Sequence, residues 1–170
     1  MIAKLHQLLR KHLGRAEEYQ EGDDLELRLA TATLLMEAAR ADSKITEGER
    51  QAIRRLIETY YALPTELVRD IAASAEREVE HATSLYPFTR LINHACSPEE
   101  KVGIVGMLWQ VICSDGRMDK YEEHLVRMVA DLLHVPHREF IREKLRVIDD
   151  HAAEFAAAAE SGGPITGKGK

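Results

Sequence analysis

The feature that most constrains this chain is an internal duplication. A shift of 73 residues places Asp42 on Asp115 and Glu49 on Glu122. With a gap of one residue, the match continues from Leu63-Pro64 to Val135-Pro136. A repeat of this length indicates two copies of one supersecondary unit, each of which closes the apolar face of the other. The remaining matched pairs are Lys44 with Arg117, Ile45 with Met118, Thr46 with Asp119, Ile53 with Val126, and Arg54 with Arg127.

Each copy reads as a helix, a short acidic loop and a second helix. Apolar residues recur at helical spacing along most of the chain, and strand-like alternation is absent. The sequence therefore predicts an all-α fold, a single domain of about seven to eight helices formed by two pseudo-two-fold helix–acidic loop–helix repeats. The most apolar helix follows Ser97-Pro98-Glu99-Glu100, where Ser97 and Glu100 fit a capping box, and this helix is expected at the centre of the core. Predicted helices cover residues 2–13, 27–41, 47–60, 64–81, 85–95, 98–112, 120–133 and 140–161.

The two ends of the chain are set apart from the repeats. Residues 2–13 carry an apolar stripe with basic residues beside it, which predicts a short amphipathic helix docked on its own domain or on a membrane-associated partner. The acidic run 17–26 has little to bury and predicts a solvated linker. We therefore divide the chain into an N-terminal helix and linker over 1–24, a helical domain over 25–158, and a disordered tail over 159–170.

Composition narrows the class of partner. The net charge of −6 disfavours nucleic acid and favours cations or basic protein surfaces. Cys96 and Cys113 lie in apolar stretches and the chain opens without a secretory signal, so the sequence predicts a reducing, cytoplasmic setting. No stretch has the roughly 18 apolar residues that a transmembrane helix requires.

The two loops carry a family resemblance. Segments 39–49 (ARADSKITEGE) and 112–122 (ICSDGRMDKYE) resemble the duplicated A-D-G-x-I-x-x-x-E signature of the tellurite-resistance TerB family, over roughly residues 25–150. The resemblance implies an all-helical, cytoplasmic bacterial domain linked to metal and general stress responses, with acidic residues that bind a divalent cation. The first loop departs from the signature, because Ser43 stands where glycine is usual. The TerB branch fused to J-domain co-chaperones is disfavoured, since the chain lacks a His-Pro-Asp triplet.

The candidate metal ligands are the carboxylates of these loops. Carboxylate oxygens suit hard cations, so the cofactor predicted is a divalent cation, Ca or Mg in preference to Zn. The spacing of 7 from first Asp to Glu is shorter than that of a twelve-residue calcium loop, which favours one site shared by both loops. The second loop is the richer one. The candidate ligands are Asp115, Asp119, Glu122 and Glu123 in the second loop and Asp42 and Glu49 in the first, with Glu47 nearby.

Simpler explanations exist for the same residues. Thr46 with Glu49, and Asp119 with Glu122, also fit capping boxes at helix starts, where carboxylates suit the helix dipole. His134 and His137 form a weaker transition-metal alternative in a turn, and Cys113 has no histidine placed to activate it.

The sequence contains no catalytic motif, which favours a non-enzymatic module that binds a divalent cation, a partner protein or both through its acidic loops. Two alternatives remain. One is a scaffold that docks to membrane-associated stress proteins through the N-terminal helix, and the other is a hydrolase that uses paired carboxylates.

Overall fold

A computed structural model describes residues 20–40, 45–114 and 118–161 of the chain. Within these ranges it has helices and no strand, as the all-α prediction requires. The seven described helices are α1 (Gln20–Arg40), α2 (Glu47–Tyr61), α3 (Thr65–His81), α4 (Tyr86–Ala95), α5 (Pro98–Ile112), α6 (Lys120–Leu132) and α7 (His137–Ser161).

The helix starts follow local sequence signals. The three predicted capping boxes are all present, at Thr46 before α2, at Ser97 before α5 and at Asp119 before α6. In each box the side chain of the first residue accepts a backbone N–H of the first turn, and a glutamate three residues later accepts the N–H of the capping residue. These short-range bonds fix where α2, α5 and α6 begin.

The two equivalent turns end their helices in the same way. Ala62 after α2 and His134 after α6 both adopt left-handed backbone conformations, with φ of 50° and 58°. The next amide in each turn reaches back across the helix end, from Leu63 N to Glu58 O at 3.1 Å and from Val135 N to Ala130 O at 2.9 Å. This is the Schellman arrangement, and a proline follows it in both copies.

The core lies around two helices. In α5, every residue from Ile104 to Ile112 except Gln110 is buried, which agrees with the predicted central position. The helix α1 shares that position, because it packs against α2, α3, α4, α5 and α6 and buries nearly its whole circumference between Ala30 and Ala39. Trp109, Leu34 and Leu35 are fully buried at this centre.

The helix contacts are compatible with a pseudo-two-fold arrangement. Helix α1 packs on α2 and α3, as α5 packs on α6 and α7, and the copies cross through α1 with α6 and α2 with α5. The helix α4 connects the copies and packs on α1 and α6. We call 20–81 the first repeat and 98–161 the second repeat.

Helix α7 approaches α5 closely at Gly106. A Cβ at this position would lie 2.7 Å from Oε2 of Glu143, so a larger residue would force that carboxylate to shift. Glu143 is 8% exposed. Its Oε2 accepts the Nε–H of Arg146 at 2.9 Å and lies 2.8 Å from one of the two terminal nitrogens of that guanidinium. A buried carboxylate therefore sits in the α5–α7 contact with its charge compensated.

Three sequence predictions change at the helix ends. The linker predicted over 17–26 is wrong from residue 20 onward, because α1 begins at Gln20 and Leu25 is fully buried. Pro64 caps α3 and does not form its first residue. Helix α7 ends at Ser161, as the predicted helix over 140–161 does, so residues 159–161 belong to the helix and not to the predicted tail.

Other predictions concern residues that the structure does not describe. The amphipathic helix over 2–13 and the tail beyond 161 lie outside the described residues. Within 20–40, 45–114 and 118–161, no helix combines the length and the apolar character needed to cross a membrane.

Candidate functional site

Four of the six candidate ligands lie in the described part of the chain. They are Glu49 in the first repeat and Asp119, Glu122 and Glu123 in the second. Asp42 and Asp115 belong to segments 41–44 and 115–117, which lie outside the described residues. The described geometry therefore concerns the helix starts that follow each loop.

Glu49 is held at the start of α2. Its Oε2 accepts the backbone N–H of Thr46 at 2.6 Å and the hydroxyl of Thr46 at 2.8 Å, and its own N–H donates to that hydroxyl oxygen at 3.2 Å. The residue is only 5% exposed. The capping prediction is confirmed here, and it immobilises one carboxylate oxygen beside the first loop.

Glu122 occupies the equivalent place at the start of α6. Its Oε2 accepts the N–H of Asp119 at 2.9 Å, and the residue is 4% exposed. Asp119 is exposed, and its Oδ1 accepts the N–H of Tyr121 at 2.7 Å. The second loop thus has a carboxylate at the capping position where the first loop has the hydroxyl of Thr46.

Glu123 forms a link between helices. Nζ of Lys144 in α7 donates to Oε1 of Glu123 at 2.8 Å, and both side chains are mostly buried, with exposures of 23% and 32%. The same ammonium lies 5.2 Å from the ring centre of Trp109. Glu123 is therefore already engaged in an ion pair with α7.

The described carboxylates do not by themselves assemble a metal centre. Among residues 20–40, 45–114 and 118–161, no three His, Cys, Asp or Glu side chains are grouped closely enough to hold a metal ion. A cation site built from these loops therefore requires Asp42 or Asp115 in addition to the described groups.

The two histidines of the transition-metal alternative, His134 and His137, have structural roles. His134 is the left-handed residue that ends α6, and the ring of His137 stacks on Phe140 with centres 5.8 Å apart. The Cys96 thiol is not activated. Burial, followed by the charge of Glu100, raises the pKa of the Cys96 thiol to about 11, so this thiol stays protonated at neutral pH. Cys113 is buried at the end of α5.

One cluster was missed by the sequence analysis. Arg54 and Arg55 of α2 and Arg69 of α3 line an open groove of about 220 Å³ between these helices. Their spacing is compatible with positions on facing sides of α2 and α3, but the apolar pattern of these helices predicts only which sides are buried. Which polar faces meet depends on the packing of α2 on α3.

Comparison with known proteins supports the resemblance of the two loops. The family model described as Tellurite resistance protein TerB matches residues 28–145, well over half of the 170 residues. No curated protein and no solved structure gave a match. The match covers both loops, all three capping boxes and helices α2 to α6, and the chain belongs to the TerB family of tellurite resistance proteins.

Proposed function

We propose that this TerB chain acts as a non-enzymatic module of tellurite and stress resistance that binds a divalent cation, calcium or magnesium, through its acidic loops. The observation that carries the proposal is the pair of buried glutamates Glu49 and Glu122, which rigid capping boxes hold beside the two loops. A carboxylate that is already fixed loses little conformational freedom when it joins a coordination shell. The oxygen-only chemistry of the loops favours hard cations over zinc.

The second loop is the principal site in this proposal. Asp119 is exposed at the start of α6, next to the segment that carries Asp115. Thr46 occupies the equivalent position in the first repeat and offers a hydroxyl in place of a carboxylate. Since affinity for calcium rises with the number of charged ligands, we expect the second loop to bind more tightly.

The test is calorimetric titration of the full chain with calcium, magnesium and zinc. The double variant Asp115→Asn with Asp119→Asn removes two charges, and asparagine is as good as aspartate at a helix start, so α6 keeps its cap. The matched control is Asp131→Asn with Asp149→Asn, two exposed aspartates of α6 and α7. We expect binding heats for calcium or magnesium that the loop variant loses and the control retains.

Flat heats for all three ions with the wild-type chain would contradict cation binding. The same carboxylates would then be proposed to contact a basic protein surface, which suits the net charge of −6.

A carboxylate-based hydrolase is the competing proposal. It needs two carboxylates in one pocket, and the described groove between α2 and α3 holds one, Glu58. Hydrolysis of p-nitrophenyl esters that is lost in Glu122→Gln, but kept in the control variant, would favour the hydrolase.

A further inference from the structure

We propose that the groove between α2 and α3 is a binding site for a phosphate monoester, separate from the acidic loops. The groove has an open volume of about 220 Å³. Three arginines, Arg54, Arg55 and Arg69, face it with one carboxylate, that of Glu58. The residues that line the groove thus carry three positive charges and one negative charge, although the net charge of the whole chain is −6.

The spacing of the groove residues explains how they converge. Gln51, Arg54, Arg55 and Glu58 lie at positions i, i+3, i+4 and i+7 of α2, which form one helix face. Arg69 and Val68 lie one turn after Thr65 at the start of α3. Val68 is 1% exposed and closes the bottom of the groove with apolar surface.

The groove carboxylate is already occupied. Oε1 of Glu58 accepts the hydroxyl of Thr65 at 2.6 Å, which ties α2 to the start of α3. The arginines are less firmly held. Arg54 lies 3.4 Å from Glu47 and Arg69 lies 3.1 Å from Glu66, and both of these glutamates are more than 60% exposed. Surface pairs of this kind contribute about 0–1 kcal/mol each, so an incoming anion can replace them.

Two of the arginines have N–H donors that are available to a ligand. The buried Nε–H of Arg54 has no hydrogen-bond partner among the described residues, although its side chain lines the groove. Arg55 has no ion-pair partner in the described part of the chain. A buried N–H donor without a partner is destabilising, and a ligand oxygen would satisfy it once the guanidinium of Arg54 turns from Glu47 to the ligand.

The second repeat provides an internal comparison. The positions equivalent to Arg55 and Arg69 are Met128 and Ile141, and Arg127, which is equivalent to Arg54, lies 5.0 Å from the ring centre of Phe140. Only Arg54 therefore has a basic counterpart, and the cluster of three arginines is specific to the first repeat. Arg55 and Arg69 are not required by the repeated helix packing, because the second copy forms its helices with apolar residues at those positions.

The ligand class follows from the donors. Guanidinium groups present planar N–H pairs that match the oxygens of a phosphate, and several of them favour a dianion. The start of α3 adds positive potential, because its N-cap residue Pro64 has no side chain that accepts the first-turn N–H groups. The groove volume suits a phosphate on a small alcohol.

The experiment is a titration of the full chain with inorganic phosphate and with glycerol phosphate at constant ionic strength, followed by amide and arginine Nε–H NMR shifts. We expect shifts concentrated at Arg54 and in residues 65–69. The variant Arg55→Gln with Arg69→Gln should weaken binding at least about tenfold, because it removes charge-assisted bonds. The control Arg90→Gln with Arg138→Gln changes the net charge equally on exposed positions of α4 and α7 and should stay within about twofold, since distant charges act only through the screened field.

A second arm identifies the source of the phosphate. Phosphatidylcholine vesicles that contain phosphatidic acid are sedimented with the wild-type chain and with both variants. If the chain binds vesicles but not glycerol phosphate, and only the groove variant loses vesicle binding, the phosphate belongs to a lipid headgroup. If the chain binds glycerol phosphate but not vesicles, and only the groove variant loses that binding, the phosphate belongs to a small metabolite. Both outcomes support the site. Equal loss in the groove variant and the control, or no binding in either arm, would overturn it.

Discussion

In the first repeat Arg50 of α2 reaches Glu76 of α3, with Nε and one terminal nitrogen 3.1 Å and 2.7 Å from the same carboxylate oxygen. In the second repeat the equivalent position is Glu123, which reaches Lys144 of α7. Both repeats thus have an ion pair between their second and third helices. The second helix carries the positive charge in the first repeat and the negative charge in the second repeat. The capping boxes and the left-handed turns, by contrast, are the same in both copies.

This difference separates what the fold requires from what it allows. Helix starts and turns depend on bonds within a few residues, so both copies must meet the same backbone conditions. A cross-helix ion pair needs only opposite charges, and a groove between helices tolerates Arg55 and Arg69 in one copy and Met128 and Ile141 in the other. The two copies therefore share an architecture and need not share a ligand.

The largest expected effect concerns the core positions Trp109 and Met36, which the repeat makes equivalent. Both are buried, with 0% and 1% exposure. We expect Trp109→Ala to lower the free energy of unfolding by about 3–5 kcal/mol and Met36→Ala by about 2–4 kcal/mol, because the larger side chain leaves the larger cavity. Urea unfolding followed by circular dichroism measures both. A greater loss for Met36→Ala would show that the first repeat, and not the second, carries the tighter part of the core.

A smaller effect is expected at the capping residues. Thr46→Ala and Asp119→Ala should each cost about 1 kcal/mol, because each leaves a first-turn N–H without its acceptor. The exchanges Thr46→Asp and Asp119→Thr should be nearly neutral, since either residue caps a helix. The same urea experiment applies. A loss of unfolding free energy in only one of the two alanine variants would show that the two helix starts are not equivalent.

The smallest effect is expected for the reversed ion pairs. Double-mutant cycles to alanine for Arg50 with Glu76 and for Glu123 with Lys144 should give coupling energies of about 0.5–1 kcal/mol, because all four side chains are partly exposed. We expect the Arg50 pair to be the stronger. Two of its N–H groups donate to one carboxylate oxygen, and this hydrogen bonding to Glu76 raises the pKa of Arg50. Molar salt should reduce both couplings, and salt-independent values would point to packing of the side-chain stems.

Local signals explain why much of the fold was predictable. The patterns at Thr46, Ser97 and Asp119 each lie within four residues, and all three formed the predicted caps. The start of α1 was mispredicted because the acidic run 17–26 offers few apolar residues, yet Leu25 is fully buried and draws the helix back to Gln20. Its burial depends on tertiary packing, which a local charge pattern does not report.

The candidate site was predictable only in part for the same reason. The roles of Glu49 and Glu122 follow from their own loops. The partner of Glu123 lies 21 residues away on α7, and the arginine groove depends on how α2 meets α3. Contacts between separate helices of this kind cannot be read from spacing along one helix.

The buried position of Trp109 has a practical consequence. It is the only tryptophan in the chain, and it packs between Phe140, at 5.1 Å between ring centres, and the ammonium of Lys144. Lys144 in turn binds Glu123, at the start of the helix that follows the second acidic loop. The tryptophan fluorescence of the protein, which can be excited apart from that of its five tyrosines, therefore comes from one residue in the second repeat. One ion pair connects this residue to the helix start where the cation is proposed to bind.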